Sequence, residues 1–164
     1  MSETSKNGFI QQERQWCAMW CSKILVAYDG SAPSKKALEV ACSIAAQDRS
    51  VELVLVHVLK LYTSLLEAGV ENLLVDEAKA TREVLESFAD TLPNPTHVHL
   101  LKGSSPADLL LNCARDEGCD LIIMGSRGRG GVKGYLGSIS YAVVQQSPIT
   151  VLIAKDTPAS GVEG

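Results

Sequence analysis

The chain of 164 residues reads as an α/β protein, a parallel sheet with helices on both faces. Three observations carry that reading. Short aliphatic runs alternate with longer helix-patterned segments, giving the order βαβαβαβαβ. The aliphatic runs are nearly unbroken, as expected of strands covered on both faces. Aromatic residues are only 5% against 46% hydrophobic, so Ala, Val, Leu and Ile must build the core.

Taken in order, Lys23 to Tyr28 forms the first strand, with Ile24-Leu25-Val26-Ala27 as its apolar body. Asp29-Gly30-Ser31 turns the chain. Ser31 caps the next helix, and Pro33 suits its first turn. Ala37, Leu38, Ala41, Ile44 and Ala45 give that helix one apolar stripe. Val51 to Val58 is the second strand. Tyr62 to Thr91 holds a longer helical segment whose stripe is Leu73, Leu74, Ala78, Val84, Leu85, Phe88 and Ala89. Its charged residues, Glu71, Glu77, Lys79, Arg82, Glu83 and Glu86, form the solvated face, and Pro93 and Pro95 end it. His97 to Lys102 is the third strand. Ser105-Pro106 opens a helix to Glu117, with Gly118 just past its end. Asp120 to Met124 is the fourth strand. Ile139 to Gln146 is the last helix, stopped by Ser147-Pro148, and Ile149 to Ala154 is the fifth strand.

The length favours one domain able to bury a core without staples. Three segments are expected: an extension at 1–22, a folded domain at 23–156, and a disordered tail at 157–164. In the extension, Trp16 and Trp20 are spaced to line one face of a short helix, packed on the domain or on a partner subunit. Net charge is −4 with no long basic stripe, which argues against nucleic acid as a partner. No apolar run approaches a membrane span, and Met1 to Lys6 lacks a signal-peptide core. The five cysteines, 17, 21, 42, 113 and 119, include no Cys-x2-Cys pair. Reduced thiols in a cytoplasm are the simplest reading. Cys42 and Cys113 fall in helix patterns as small core residues. Cys17 and Cys21, one helical turn apart, leave a redox role open.

The chemistry concentrates after the fourth strand. Gly125-Ser126-Arg127-Gly128 leads on to Gly137-Ser138 at a helix start. Glycines let backbone N–H groups approach an oxyanion and permit positive φ. A helix N-terminus adds unpaired donors and a positive dipole end. Arg127, Arg129 and Lys133 put cationic charge on the same loop, which points to a phosphate chain. The alternative is a flexible connection with no ligand. In open parallel sheets, ligands sit beyond the strand carboxyl ends where strand order reverses. Asp29 to Ser31 and Gly125 to Gly128 both follow strand ends and share one crevice if their strands are neighbours.

Other signatures are missing. The chain has no Gly-x4-Gly-Lys-[Ser/Thr], no Gly-x-Gly-x2-Gly after the first strand and no Gly-x-Ser-x-Gly. Asp29 reads equally as a metal or ribose ligand and as a turn residue bonded to local amides. His97 and His99 share a strand face without a third metal ligand in sight. His57 reads as a packed strand residue. Ser126 and Ser138 suit phosphate donation better than nucleophilic attack, because no His–Asp partner pattern accompanies them.

Several ordered blocks together resemble the universal stress protein family. They are Ile24 to Ser31, Val54-Leu55-Val56-His57-Val58, Asp120 to Gly128, Gly137-Ser138-Ile139-Ser140 and Pro148-Ile149-Thr150-Val151-Leu152. The likeness covers about Lys23 to Lys155. It implies a Rossmann-like three-layer sandwich with a five-stranded parallel sheet, dimeric through its last strand. The family's ATP-binding branch carries Gly-x2-Gly-x9-Gly-[Ser/Thr]. Carried to matching positions, the resemblance implies that Ala27, Asp29 and Val58 meet adenine or ribose, Val58 through its backbone. It places Met124 and Gly125 along the ribose and α-phosphate, and Gly128, Gly137, Ser138 and Ile139 on the phosphates with Ser140 nearby. One departure stands out: eight residues separate Gly128 from Gly137, where the family pattern has nine. The turn at Gly103-Ser104-Ser105-Pro106 is one residue longer than usual.

The expectation is therefore a cytoplasmic homodimer that binds ATP with Mg²⁺ and acts as a nucleotide-responsive regulator in stress response. AMP is the alternative ligand, since the adenosine contacts are intact and the outer loop is altered. With no general base in view, any hydrolysis is expected to be slow. The rivals are a dimeric adaptor of the same family that holds no ATP, and a true ATPase or nucleotidyl-transfer enzyme of related fold.

Overall fold

A computed structural model describes residues 20–61, 71–128 and 135–155, with the backbone alone at 71–74. The elements run β1 (Lys23–Ala27), α1 (Ala32–Ala45), β2 (Glu52–Lys60), α2 (Glu71–Ala89), β3 (Thr96–Gly103), α3 (Pro106–Asp116), β4 (Leu121–Gly125), α4 (Ser138–Gln146) and β5 (Thr150–Ala154). Phe9 to Met19 of the extension, Cys17, residues 62–70, Arg129 to Gly134 and the tail lie outside the described residues.

The sheet is parallel throughout, in the order β3-β2-β1-β4-β5. This is the expected Rossmann-like α/β sandwich. β1 lies at the centre because its residues are apolar in both directions: Ile24, Leu25 and Val26 are all fully buried. Alternate side chains enter two separate cores. Ile24, Val26, Leu53, Leu55, Leu121 and Ile123 pack under α1 and α2. Leu25, Val54, Val56, Ile122 and Met124 pack under α3 and α4. Parallel neighbours need crossover connections, and the helices that supply them cover both faces.

Local chemistry explains the helix boundaries. Ser31 caps α1, its Oγ accepting from the Ser34 amide at 3.3 Å, with Pro33 in the first turn. Gly118 follows α3 with φ +69°, a value that favours glycine. Three expectations need correction. β2 runs on to Lys60 because it pairs with β3 as far as Gly103. Val84 is 57% exposed and lies on the solvent side of α2, while Ala78 and Leu85 make the contact with the core. Among the described glycines only Gly30 and Gly118 have positive φ. Gly125 and Gly137 therefore answer to close approach of backbone, and Gly128 to the nearby Asp29 side chain, not to backbone handedness.

Strand order reverses at β1, which has β2 on one side and β4 on the other. The carboxyl ends of β1 and β4 meet where Ala27 pairs with Met124. A crevice at that point is what this topology provides.

Candidate functional site

A cleft opens there, with about 650 Å³ of empty space including its mouth. Ala27, Val56, Val58, Met124, Leu110 and Ile139 give it apolar walls, and Asp29, Arg127, Lys60 and Ser140 add polar groups. Pocket chemistry of this kind, mostly apolar with a few convergent polar groups, suits a small ligand with a flat apolar part.

Each wall has a structural origin. On β2, Val56 and Val58 alternate onto the same face, with Lys60 one step further toward the rim. On β4, the chain leaves the sheet at Gly125. A Cβ there would lie 2.8 Å from the Pro33 carbonyl carbon, the Pro33 Cβ and the Ser34 amide nitrogen. Only glycine lets the first turn of α1 press against the end of β4. At Gly128 a Cβ would stand 2.7 Å from Asp29 Oδ2, so the glycine keeps the loop against that carboxylate.

Asp29 is half-buried and does two things. Its Oδ1 accepts from the Ser31 amide at 2.9 Å, closing the turn that launches α1. Its Oδ2 makes no hydrogen bond within the described residues and faces Gly128 in the cleft. Both readings of this residue are thus realised, on different oxygens. Ser34 steadies the arrangement: its Oγ accepts from the Asp29 amide at 3.3 Å and donates to Ser31 O at 3.0 Å.

The start of α4 faces the cleft through Ile139 and Ser140. No side chain caps it at Gly137. The first-turn amides of Ser138, Ile139 and Ser140 have no acceptor within their own helix, as at any helix start. Two neighbouring groups are already committed. The Gly137 amide donates to Ser126 O at 2.7 Å, and Ser140 Oγ donates to Gly125 O at 2.8 Å. Gly137 therefore serves by close approach, a Cβ there lying 3.1 Å from Arg127 Cα, and does not offer its own N–H. Ser126 Oγ is buried and has no hydrogen-bond partner among the described residues.

Of the expected residues, Ala27, Asp29, Val58, Met124, Gly125, Gly128, Ile139 and Ser140 line one cleft, and Gly137 and Ser138 stand just behind the last two. Sequence reasoning missed Ser34, Val56, Lys60, Pro106 and Leu110 as lining residues. Val56 was legible, since it shares a strand face with Val58. Pro106 and Leu110 come from the crossover after β3, and nothing local marks them. His57 is buried, its Nδ1 donating to Tyr28 O at 2.8 Å, so it ties β2 to the β1 turn. His99 pairs through Nε2 with Glu117 Oε1 at 2.9 Å and has no part in the cleft. Burial pushes the Cys21 and Cys119 thiols up to about 12 and Cys113 up to about 11. The nearby carboxylates Asp120, beside Cys21, and Glu117, beside Cys113, add to that effect. These thiols stay protonated and behave as core groups.

The sequence model of the Universal stress protein family matches residues 21–155. The chain belongs to the universal stress protein family. Universal stress protein YxiE of Bacillus subtilis is 36% identical over 149 residues, covering 82% of this chain and 99% of that protein. Among solved structures, that of hypothetical protein MJ0577 superposes with a TM-score of 0.74 at 28% identity, covering 84% of this chain and 98% of the other. Two further structures share the fold at lower identity. One, a universal stress protein from Archaeoglobus fulgidus in complex with dAMP, has a TM-score of 0.62 at 23% identity, covering 84% of this chain and 100% of the other. The second, a universal stress protein in complex with cAMP, has a TM-score of 0.52 at 24% identity, covering 84% of this chain and 98% of the other.

Proposed function

We propose that this universal stress protein binds an adenine nucleotide in the β1–β4 cleft and works as a nucleotide-responsive regulator in stress response. The observation that carries the reading is an uncapped helix start, α4, opening onto an apolar-walled cleft beside a glycine-tightened loop. The base and ribose lie against Ala27, Asp29, Val58 and Met124. The phosphates lie along Gly125 and Gly128 and meet the amides of Ser138, Ile139 and Ser140, where the helix dipole favours negative charge. That the same fold holds dAMP in one protein and cAMP in another is in keeping with the proposal, though at their identities the likeness speaks for the fold alone.

ATP with Mg²⁺ is the proposed ligand and AMP the alternative. Asp29 is the one carboxylate among the described lining residues, and its Oδ2 is available to a ribose hydroxyl or to a hydrated Mg²⁺ carried by ATP. The protein is proposed to work in the cytoplasm as a homodimer through β5. Among the described strands β5 pairs only with β4, and Val151, Leu152 and Ile153 along it are half-buried. Calorimetry with Mg·ATP and with AMP tests the binding, using Gly128→Val as the control that fills the loop. No heat from the parent protein with either nucleotide rejects the proposal.

A second reading has its own support. The Gly137 amide and the Ser140 hydroxyl are both engaged within the protein, and the loop is one residue short. Both facts favour a dimeric adaptor that holds no ATP. Protein purified without added nucleotide decides between them: retained adenine absorbance excludes the adaptor. Multiple turnover of ATP abolished by Asp29→Ala would instead revive an ATPase.

A further inference from the structure

β2 runs past the end of β1, and the rungs between them show which way each β2 peptide points. The Glu52 amide donates to Ser22 O at 2.9 Å, and Val56 O accepts from the Tyr28 amide at 2.8 Å. Even-numbered β2 residues therefore turn N–H and C=O toward β1. The Leu53 amide donates to Pro95 O at 2.8 Å and the Leu61 amide to Gly103 O at 3.0 Å, so odd-numbered residues turn toward β3. By this alternation Val58 directs both its N–H and its C=O to the β1 side, at a level where β1 has already left the sheet. Val58 lines the cleft.

One more rung of the ladder would bond the Val58 amide to Tyr28 O. That rung is not formed. Tyr28 O accepts from His57 Nδ1 instead, at 2.8 Å. The imidazole arrives from the other face of β2. Leu55 packs under α1 and α2, and His57, two residues on, shares that face, while Val56 and Val58 belong to the cleft side. His57 is buried and Tyr28 packs against the same core, so little water competes for the bond. A carbonyl supplied with a donor in this way no longer draws the neighbouring amide.

We propose that His57 is a positioning residue for the cleft: by satisfying Tyr28 O from the opposite face, it keeps the Val58 amide and carbonyl turned to a ligand instead of to β1. A peptide N–H beside a C=O matches a base with a ring-nitrogen acceptor next to an exocyclic amino group, as in adenine and cytosine. It mismatches hypoxanthine, in which donor and acceptor change places, and a site built for one pattern rejects the other. The effect on base choice rests on the nucleotide site proposed above; the state of the Val58 amide does not.

The first measurement is amide hydrogen exchange, read by NMR, on the parent protein without nucleotide. The Val58 amide is expected to exchange about tenfold or more faster than the Val56 amide, which lies within the β1–β2 ladder. In His57→Leu, which leaves Tyr28 O without the imidazole, Val58 exchange should slow toward that of Val56. In His57→Asn, whose Nδ2 stands where Nδ1 did, it should stay fast. Calorimetry on the same proteins reads base choice. The parent should bind AMP about tenfold or more tightly than IMP, His57→Leu should lose most of that ratio, and His57→Asn should keep it. A loss of stability alone would weaken both nucleotides alike, so an unchanged ratio in folded His57→Leu overturns the proposal. A Val58 amide as protected as Val56 in the parent also overturns it, and that result needs no variant to fold. A parent that binds neither nucleotide rejects the proposed function, and the exchange rates then decide the role of His57.

Discussion

A methyl group at Gly125 and one at Gly128 meet different obstacles. At Gly125 the obstacle is backbone, Pro33 and Ser34 at 2.8 Å, and neither α1 nor β4 can yield without repacking. Gly125→Ala is expected to cost about 2 kcal/mol of stability, the range of overpacking in a tight core. At Gly128 the obstacle is the end of the Asp29 side chain, which can rotate away. Gly128→Ala should leave stability within about 0.5 kcal/mol of the parent, as for an exposed site. It should nevertheless weaken nucleotide binding by displacing that carboxylate. Urea melts and calorimetry on the two variants check the contrast, and equal stability losses would contradict it. The glycine pattern itself was legible in the sequence. The reason for each glycine was not, because it depends on which backbone lies across from it.

At the scale of elements, single polar side chains hold the strand ends in place. Asn94 is buried between two prolines, and its Nδ2 lies within 3.1 Å of Ala45 O, 2.9 Å of Asp48 O and 3.0 Å of Val51 O. It joins the end of α1, the following turn and the approach to β2. Asn94→Ala should destabilise the protein by about 2–3 kcal/mol, since buried carbonyls lose their donor. A denaturation midpoint unchanged by the substitution would refute this role. In the sequence Asn94 was only the residue between two helix-ending prolines. Asp120 plays a similar part at the start of β4. Burial pushes its carboxyl up, but bonds from the Ser22 hydroxyl and amide and from the Lys23 amide outweigh this and hold it below the ordinary carboxylate range. A carboxyl depressed in the folded state stabilises above its unfolded pKa, near 4, and that stability is lost as pH falls through the folded value. Asp120→Ala should therefore cost roughly 1 kcal/mol at pH 7. The gap should close progressively below about pH 4. Stability curves of parent and variant from pH 2 to 7 check the convergence.

For the whole molecule, the open question is how its edges are covered. β5 ends the sheet, and beside it Tyr141 is 58% and Val144 42% exposed on α4. An apolar edge strand flanked by exposed apolar side chains is the type of surface a second copy hides. The double variant Tyr141→Asp, Val144→Asp is expected to sediment as a folded monomer where the parent sediments as a dimer. A monomeric parent would remove the proposed seam. The same edge connects to the cleft, because the Ser126 amide donates to Ala154 O at 2.8 Å.

Periodicity and punctuation were enough to establish the α/β class, the order of nine elements and the two turns that border the cleft. Those signals are local: aliphatic runs, a Ser-x-Pro cap and a glycine after a helix. The order β3-β2-β1-β4-β5 makes neighbours of residues about a hundred positions apart, and no local signal encodes that. Packing across β1 brought Leu110 and Pro106 into the cleft, sent Val84 outward, and engaged the Gly137 amide with Ser126 O. A residue's neighbours in sequence set its backbone preference. Its hydrogen-bond partner is set by whichever element the chain folds against it, so the availability of each donor for a ligand emerged only in three dimensions.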